Sequence, residues 1–385
     1  MLALHFGAGN IGKGFIGSLL NKTDYNLCFV DINQDTIDRF NKKNRYLVEL
    51  LDDTHTVEVV APVTALNSLT QEQDVIRHIE QADIITTSVG VNNLPRIAGI
   101  LAKGLLNRIN TNKNKLDVLA NENAINASSK LKEAIATHLS DAELASIESL
   151  IGFPNTSIDR LALSKTDDDD EIALVEPLYE WVINASEIQN NTAPRIKGAR
   201  YVNDLKPFIE RKLYSVNMAH AATAYLGFVF NKSTIQDTLK DQELEQFIEG
   251  TMQETAQYFI KVFNVEPLEM TNYINKTLLR FKNSNIQDDI FRVGRSPIRK
   301  LGYNERLVKP LRELSKLGLP ISHLTLAIAA GYLFFNPEDE ESVTIQNYIS
   351  EHGIKSAIAH FSELKDATFT DAIIANYNKL KTQKL

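Results

Sequence analysis

The stretch that most restricts the fold is residues 2–31, LALHFGAGNIGKGFIGSLLNKTDYNLCFVD. Its first five residues form a short apolar run, which predicts a buried strand carrying Ala3, Leu4, His5 and Phe6. The run passes directly into Gly7-Ala8-Gly9-Asn10-Ile11-Gly12, and a helical pattern follows through Lys13 and Gly14. This is the strand–turn–helix setting that a GxGxxG motif requires. Gly7 permits the tight turn, Gly9 lets backbone N–H groups approach a diphosphate, and Gly12 allows close helix–strand packing. The start of a helix also favours an anion electrostatically. Glycine turns are common, so the motif gains weight from a third feature. Asp31 ends the next apolar run, where a carboxylate accepts hydrogen bonds from ribose hydroxyls. A negative charge there repels a 2′-phosphate, so the expected cofactor is NAD and not NADP. FAD is the alternative, but no second flavin motif accompanies the first. The cofactor-binding set is therefore read as Ala3 to Gly14, Asp31, and Ser88, Val89 and Gly90 at the end of a later strand.

At 385 residues the chain exceeds one ordinary core, and two domains are expected. Its 43% hydrophobic and 23% charged residues fit a soluble globular protein. No apolar run approaches the roughly 20 residues of a membrane span. The opening MLALHFGAGNIG carries no basic segment and no small-residue cleavage site, so a cytoplasmic location is expected. Cys28 is the single cysteine, which fits a reducing compartment. A net charge of −8 without a basic stripe argues against nucleic acid as a partner.

Beyond residue 31, ADIITTSVG (82–90) and KLDVLANEN (115–123) also read as strands, separated by amphipathic helical patterns. Strand–helix alternation predicts a parallel sheet covered on both faces. RYLVELLDDTHTVEVVAPVTAL has period-two character and predicts a hairpin or extra strands. The acidic run around residues 165–171 is expected to be a solvated loop. The polar segment 184–204 is read as the connection between domains. From about residue 200 the pattern is almost wholly helical. The fold class is thus α/β, with a Rossmann-type dinucleotide-binding domain over 1–193 followed by a mostly α-helical domain over 194–385.

Within that second domain, RKLYSVNMAH (211–220) sets polar groups among residues suited to burial. On a uniform α-helix, Asn217 lies about 140° round from Lys212 and His220 about 80° round, at ~7.5 and ~12 Å along the axis. The three fall within one broad arc that could wall a cleft. A desolvated lysine serves as a general base, an asparagine amide steadies a developing oxyanion, and a histidine orients a hydroxyl. Spacing alone leaves open the plainer account of a surface lysine, an asparagine bonded to backbone and a core histidine. Arg211 is read as surface. Asn121-Glu122-Asn123 ends a strand, where an Asx turn or helix cap explains one of the three polar residues.

Lys212-x-x-x-x-Asn217-x-x-His220 resembles the catalytic signature of the polyol-specific long-chain dehydrogenases, the mannitol dehydrogenase family. ALHFGAGNIGKGFIG, ANENA around Asn123, GFPNTSIDRL (152–161), VGRSPIRKL and NERLVKPL extend that resemblance over nearly the whole chain. The resemblance implies Lys212 as general base, Asn123 and Asn217 holding the reacting oxygen, and His220 binding a neighbouring hydroxyl. It implies no metal, and eight scattered histidines with one cysteine show no zinc-ligand spacing. Arg295, Arg299 and Lys300 in GRSPIRKL are the candidates for holding a substrate phosphate. The implied reaction is NAD-dependent oxidation of D-mannitol 1-phosphate at C5 to D-fructose 6-phosphate. The alternatives are reduction of a hexuronate and oxidation of unphosphorylated mannitol. The implied partner is a sugar phosphate, and the expected state is a monomer or weak homodimer. Lys13 and Ala124 depart from the residues common in the family.

Overall fold

A computed structural model describes residues 1–112, 114–167 and 170–383. The chain divides into two compact units, Met1–Phe208 and Ile209–Leu385, the boundary falling inside the helix Lys206–Arg211.

The strands of the first unit are β1 (Leu2–Phe6), β2 (Asn26–Asp31), β3 (Tyr46–Leu50), β4 (Val57–Val60), β5 (Val63–Asn67), β6 (Ile84–Thr87), β7 (Leu116–Ala120), β8 (Ile151–Gly152), β9 (Thr156–Asp159), β10 (Ala162–Asp167), β11 (Asp170–Val175), β12 (Glu180–Asn184) and β13 (Ala199–Val202). Six of them form a parallel sheet in the order β5-β2-β1-β6-β7-β8. Alternate residues of β1 explain why it reads as uniformly apolar. Ala3 packs with Phe15 and Phe29 on one face, while Leu4 and Phe6 pack with Cys28, Ile85 and Val118 on the other. The registers Phe6↔Val30, Phe6↔Thr87 and Thr87↔Ala120 level the carboxyl ends of the central strands. The chain therefore leaves β1, β2, β6 and β7 along one edge, where Gly7, Asp31, Ser88 and Asn121 lie. In open parallel sheets this edge is where ligands bind.

The period-two segment forms the antiparallel hairpin β3–β4, and β5 joins the main sheet. The acidic run is not a solvated loop. β10 and β11 pair antiparallel from Ala162↔Val175 to Asp167↔Asp170, and β11 runs parallel to β3. Its charges are used: Asp170 pairs with Arg45 at 3.0 Å, and Glu171 lies buried. Asp168 and Asp169 fall outside the described residues. The polar segment 184–204 likewise belongs to the first unit. β13 adds in parallel to β12, and the Asp117 carboxylate accepts from the backbone N–H groups of Gln189 and Asn190 at 2.8 and 3.1 Å.

The second unit is helical. Met218–Val229 and Ser322–Leu333 are apolar nearly all round and lie at its centre. Around them run Gln242–Phe263, Pro267–Phe281, Val308–Lys316, Glu340–Phe361 and Ala367–Gln383. Glu340–Phe361 breaks at Gly353, whose φ of 77° no α-helix accepts. The uniform α-helix expected through 211–220 has a change of register: α-helix over Lys206–Arg211, a π-helical turn over Lys212–Asn217, and α-helix again from Met218.

Candidate active site

In the first unit, the turn after β1 is held by its neighbours. Gly7 has φ +102° and donates its N–H to the Val30 carbonyl at 2.8 Å. A Cβ on Gly7 would lie 2.6 Å from the Ser88 carbonyl oxygen, and one on Gly12 would lie 2.1 Å from that of Gly7. A Cβ on Gly9 would meet nothing within 4 Å, so the loop is open there. Asp31 Oδ2 accepts from the Ala8 N–H at 2.6 Å, while Oδ1 accepts from Ile32 and Asn33 at 2.7 and 2.9 Å. The carboxylate that would meet ribose hydroxyls thus also fixes the glycine loop. Open backbone at Gly9, a helix start and a half-exposed carboxylate fit a dinucleotide diphosphate and ribose.

The remaining residues of the expected cofactor set divide by exposure. Asn10 is exposed and its side-chain oxygen accepts from the Ser164 hydroxyl at 2.6 Å; Ile11 is half-buried. Ala3, Leu4, His5 and Phe6 are fully buried within the sheet. His5 bridges Thr86 and Ser88, its ring nitrogens 2.6 and 2.8 Å from their hydroxyls. Burial drives its pKa down to about 3, so the ring is neutral. Lys13 does not point outward. Its ammonium is buried against Glu171, which Arg39 also contacts at 2.6 Å. Burial pushes the Glu171 carboxyl up, and Lys13 and Arg39 together outweigh this and hold it below its ordinary value. A Cβ on Gly14 would lie 2.6 Å from Val175 Cγ1, which lets the β10–β11 hairpin pack on the motif helix.

Ser88, Val89 and Gly90 are positioned by Glu122, which is buried. Its Oε1 accepts from the Thr87 hydroxyl at 2.8 Å and the Val89 N–H at 3.0 Å, and Oε2 accepts from the Gly90 N–H at 2.7 Å. Asn121 donates its N–H to the Thr87 carbonyl at 2.9 Å. Its side-chain amide donates to the Leu119 carbonyl at 3.2 Å, while its buried Oδ1 has no hydrogen-bond partner among the described residues. Of the three polar residues in NEN only Glu122 is thus fully accounted for by structure, and Asn123 alone has an exposed side chain.

In the second unit, Lys212, Asn217 and His220 are half-buried, while Tyr214, Ser215 and Val216 between them are buried. The π turn changes the expected angles. In an α-helix residues five apart diverge by about 140°. In an i→i+5 turn they stack, as the bond from the Met218 N–H to the Leu213 carbonyl records. Lys212 and Asn217 therefore share a face more closely than uniform spacing predicts. Arg211 is not a surface residue. It is buried, pairs with Glu269 at 3.2 Å and stacks 4.3 Å over the Tyr273 ring. His220 stacks on Phe281 with ring centres 4.9 Å apart, and its Nε2 lies 2.5 Å from Asp288 Oδ2. Asp288 is buried and also pairs with Arg292. No local pattern marked Asp288, since it lies 68 residues from His220 in the chain.

Arg295 and Arg299 are exposed and flank Ser296, whose φ of 57° makes a sharp turn before the helix Pro297–Lys300. Asp339 Oδ2 accepts the Ser296 N–H at 2.7 Å, and Glu341 Oε2 accepts that of Arg299 at 3.1 Å. Lys300 differs from the expectation of an outward cation. It is buried and donates to the carbonyls of Val293 and Arg295. Burial, then the charges of Arg306, Arg299 and Arg295, lowers its pKa to about 7. Lys300 thus holds the turn that carries the two arginines. Arg306, which the sequence reading had not singled out, is a further cation close enough to Arg299 and Lys300 to be felt. Among the described residues no group of three or more His, Cys, Asp or Glu could hold a metal ion. Among the described residues no helix is long and apolar enough to cross a membrane.

The sequence profile described as "Mannitol dehydrogenase Rossmann domain" matches residues 1–198, and "Mannitol dehydrogenase C-terminal domain" matches 204–381. A protein of Geobacillus stearothermophilus named mannitol-1-phosphate 5-dehydrogenase is 42% identical, over 99% of this chain and 100% of its own. The Bacillus subtilis (strain 168) protein of the same name is 40% identical over 97% and 98%. Among solved structures, a D-sorbitol dehydrogenase superposes with a TM-score of 0.86 at 15% identity, covering 99% of this chain and 94% of that one. The Pseudomonas fluorescens mannitol 2-dehydrogenase complex with NAD and D-mannitol superposes at 0.73 and 18% identity, covering 100% and 93%, which shows a shared fold. The chain belongs to the mannitol dehydrogenase family.

Proposed function

We propose that the protein oxidises D-mannitol 1-phosphate at C5 to D-fructose 6-phosphate with NAD, reversibly. The observation that carries this reading is the near-full-length identity of about 40% to relatives of that name, with Lys212, Asn217 and His220 on one helical run. The Gly7–Gly12 loop and Asp31 would hold the cofactor, which supplies the hydride acceptor when bound. Asp31 accepts the ribose hydroxyls and disfavours a 2′-phosphate. Lys212 Nζ, as the neutral amine, takes the C5 hydroxyl proton while that carbon loses its hydride. The amides of Asn123 and Asn217 donate to the reacting oxygen and steady its charge without adding charge of their own. His220 binds a neighbouring hydroxyl. Arg295 and Arg299 hold the phosphate, Arg306 adds to the positive potential, and Lys300 supports their turn.

The test is NADH oxidation with fructose 6-phosphate set against fructose. A strong preference for the phosphorylated sugar is expected, and replacing Arg295 and Arg299 by alanine should erase that preference. Equal turnover of fructose would move the assignment to an unphosphorylated polyol. Lys212→Ala should lower kcat by about 10²–10⁴-fold. A variant that kept wild-type kcat would remove the general-base role.

A further inference from the structure

The widened turn at Lys212–Asn217 has a counterpart in the dinucleotide motif. Gly12–Gly17 is itself a π-helical turn, and ordinary α-helix resumes over Ser18–Lys22. Passing from i→i+4 to i→i+5 bonding costs a helix one internal hydrogen bond at the junction and leaves a carbonyl for an outside donor. Two side chains supply such donors. The Tyr46 hydroxyl donates to the Lys13 carbonyl at 2.7 Å, and Arg160 Nη1 donates to that of Gly14 at 2.9 Å. Both directions are fixed by chemistry, because a carbonyl oxygen only accepts and a guanidinium only donates. Neither donor belongs to the motif. Tyr46 opens β3 and is fully buried, and a Cβ on Gly17 would lie 2.9 Å from its hydroxyl, so that glycine makes room for it. Arg160 lies between β9 and β10. Its Nε donates to the Glu176 carbonyl at 3.0 Å, and its guanidinium packs 5.6 and 5.0 Å from the ring centres of Phe15 and Tyr179.

We propose that Tyr46 and Arg160 are positioning residues for the cofactor, holding the Gly12–Gly17 turn widened and so aiming the Gly7–Gly12 loop at the NAD diphosphate. This rests on the reading that this loop receives NAD. A turn that relaxed to α-helix would lose one residue from its register. The chain before it would then rotate by about 100° and shift ~1.5 Å along the axis relative to the chain after it. The end of β1 fixes the other side of the loop through the bond from the Gly7 N–H to the Val30 carbonyl, so the loop itself would absorb the change. Backbone N–H groups set to converge on a diphosphate would no longer do so. The sheet β10-β11-β3-β4 that carries Tyr46 thereby gains a part in cofactor binding.

Tyr46→Phe removes only the hydroxyl, and Arg160→Met removes the guanidinium while keeping an apolar stem. Calorimetry of NAD binding, well below the unfolding transition and without substrate, should show Kd raised about 5–10-fold in each single variant, the worth of one hydrogen bond, and further in the double variant. KM for NADH should rise in step, while kcat and KM for fructose 6-phosphate at saturating NADH change far less. Ile183→Val supplies the control. Ile183 is buried in the core of the same unit, and losing a methyl group there lowers Tm through packing alone. Its NAD affinity should stay at the wild-type value. Wild-type affinity in Tyr46→Phe and Arg160→Met would overturn the proposal, as would a rise in Kd that Ile183→Val reproduces. Tyr46→Phe, the gentlest change, decides the matter if the double variant does not fold. A wild type that binds no NAD would overturn the cofactor reading as well, which separates the two failures.

Discussion

Glu122→Gln changes one oxygen to an NH₂ group, and the structure sets the consequence. The carboxylate accepts three hydrogen bonds, two at Oε1 and one at Oε2, in a residue only 5% exposed. The best fit for glutamine keeps its carbonyl oxygen where it serves both Thr87 and Val89. The new NH₂ then faces the Gly90 N–H, donor against donor. One charge-assisted bond, worth about 1.5–3 kcal/mol, is lost, and a partly buried donor is left unsatisfied at a further ~1 kcal/mol or more. A loss of about 3 kcal/mol follows, or roughly 6–12 °C in the Tm of a unit of this size. Cofactor binding supplies a second reading, because Ser88, Val89 and Gly90 are the segment that Glu122 places. NAD affinity, measured by protein fluorescence or calorimetry, should fall by about tenfold or more, while glutamine at the more exposed Glu72 should change neither quantity. An Asp substitution should not rescue, since the shorter side chain cannot reach both N–H groups. If Glu122→Gln retained both wild-type Tm and NAD affinity, the claim that this carboxylate organises the turn after β6 would be refuted.

His5 should make stability pH-dependent. Its folded pKa of about 3 lies below the ordinary 6.5, so between those values the unfolded chain binds more protons. Stability is complete above pH 6.5 and falls by up to about 1.4 kcal/mol per pH unit below it. His5→Gln should flatten that slope in urea titrations at pH 5 and 7, and an unchanged slope would contradict a neutral buried ring. Lys13→Met leaves Glu171 buried with Arg39 alone and should cost about 3 kcal/mol, because removing one member of a buried pair strands its partner. Calorimetry showing a loss below ~1 kcal/mol would mean that Arg39 and solvent compensate fully.

Much of the dinucleotide half of the site is readable because its chemistry is local. The glycine spacing, the preceding strand and Asp31 lie within a single β–α–β stretch, and the parallel register brings Gly7 and Asp31 to one edge. The error at Lys13 and the missed purpose of the acidic run have a common cause. Glu171, 158 residues from Lys13, turns a motif lysine inward and turns an apparent solvated loop into a paired hairpin. Arg211 went astray similarly, since Glu269 and Tyr273 that bury it arrive on another helix.

Residue types and short-range spacing by themselves determined the α/β first unit, the helical second unit and the dinucleotide loop, which follow from periodicity and turn chemistry acting over a few residues. The Lys212-Asn217-His220 set was singled out as catalytic only through the resemblance to a known family. The tertiary structure alone decided which charges are used inside the molecule, the i→i+5 register at Lys212–Asn217, the inward Lys300 and the Asp288–His220 contact. Burial and ion pairing depend on what packs from distant parts of the chain, and a uniform helical period carries no mark of where one turn widens.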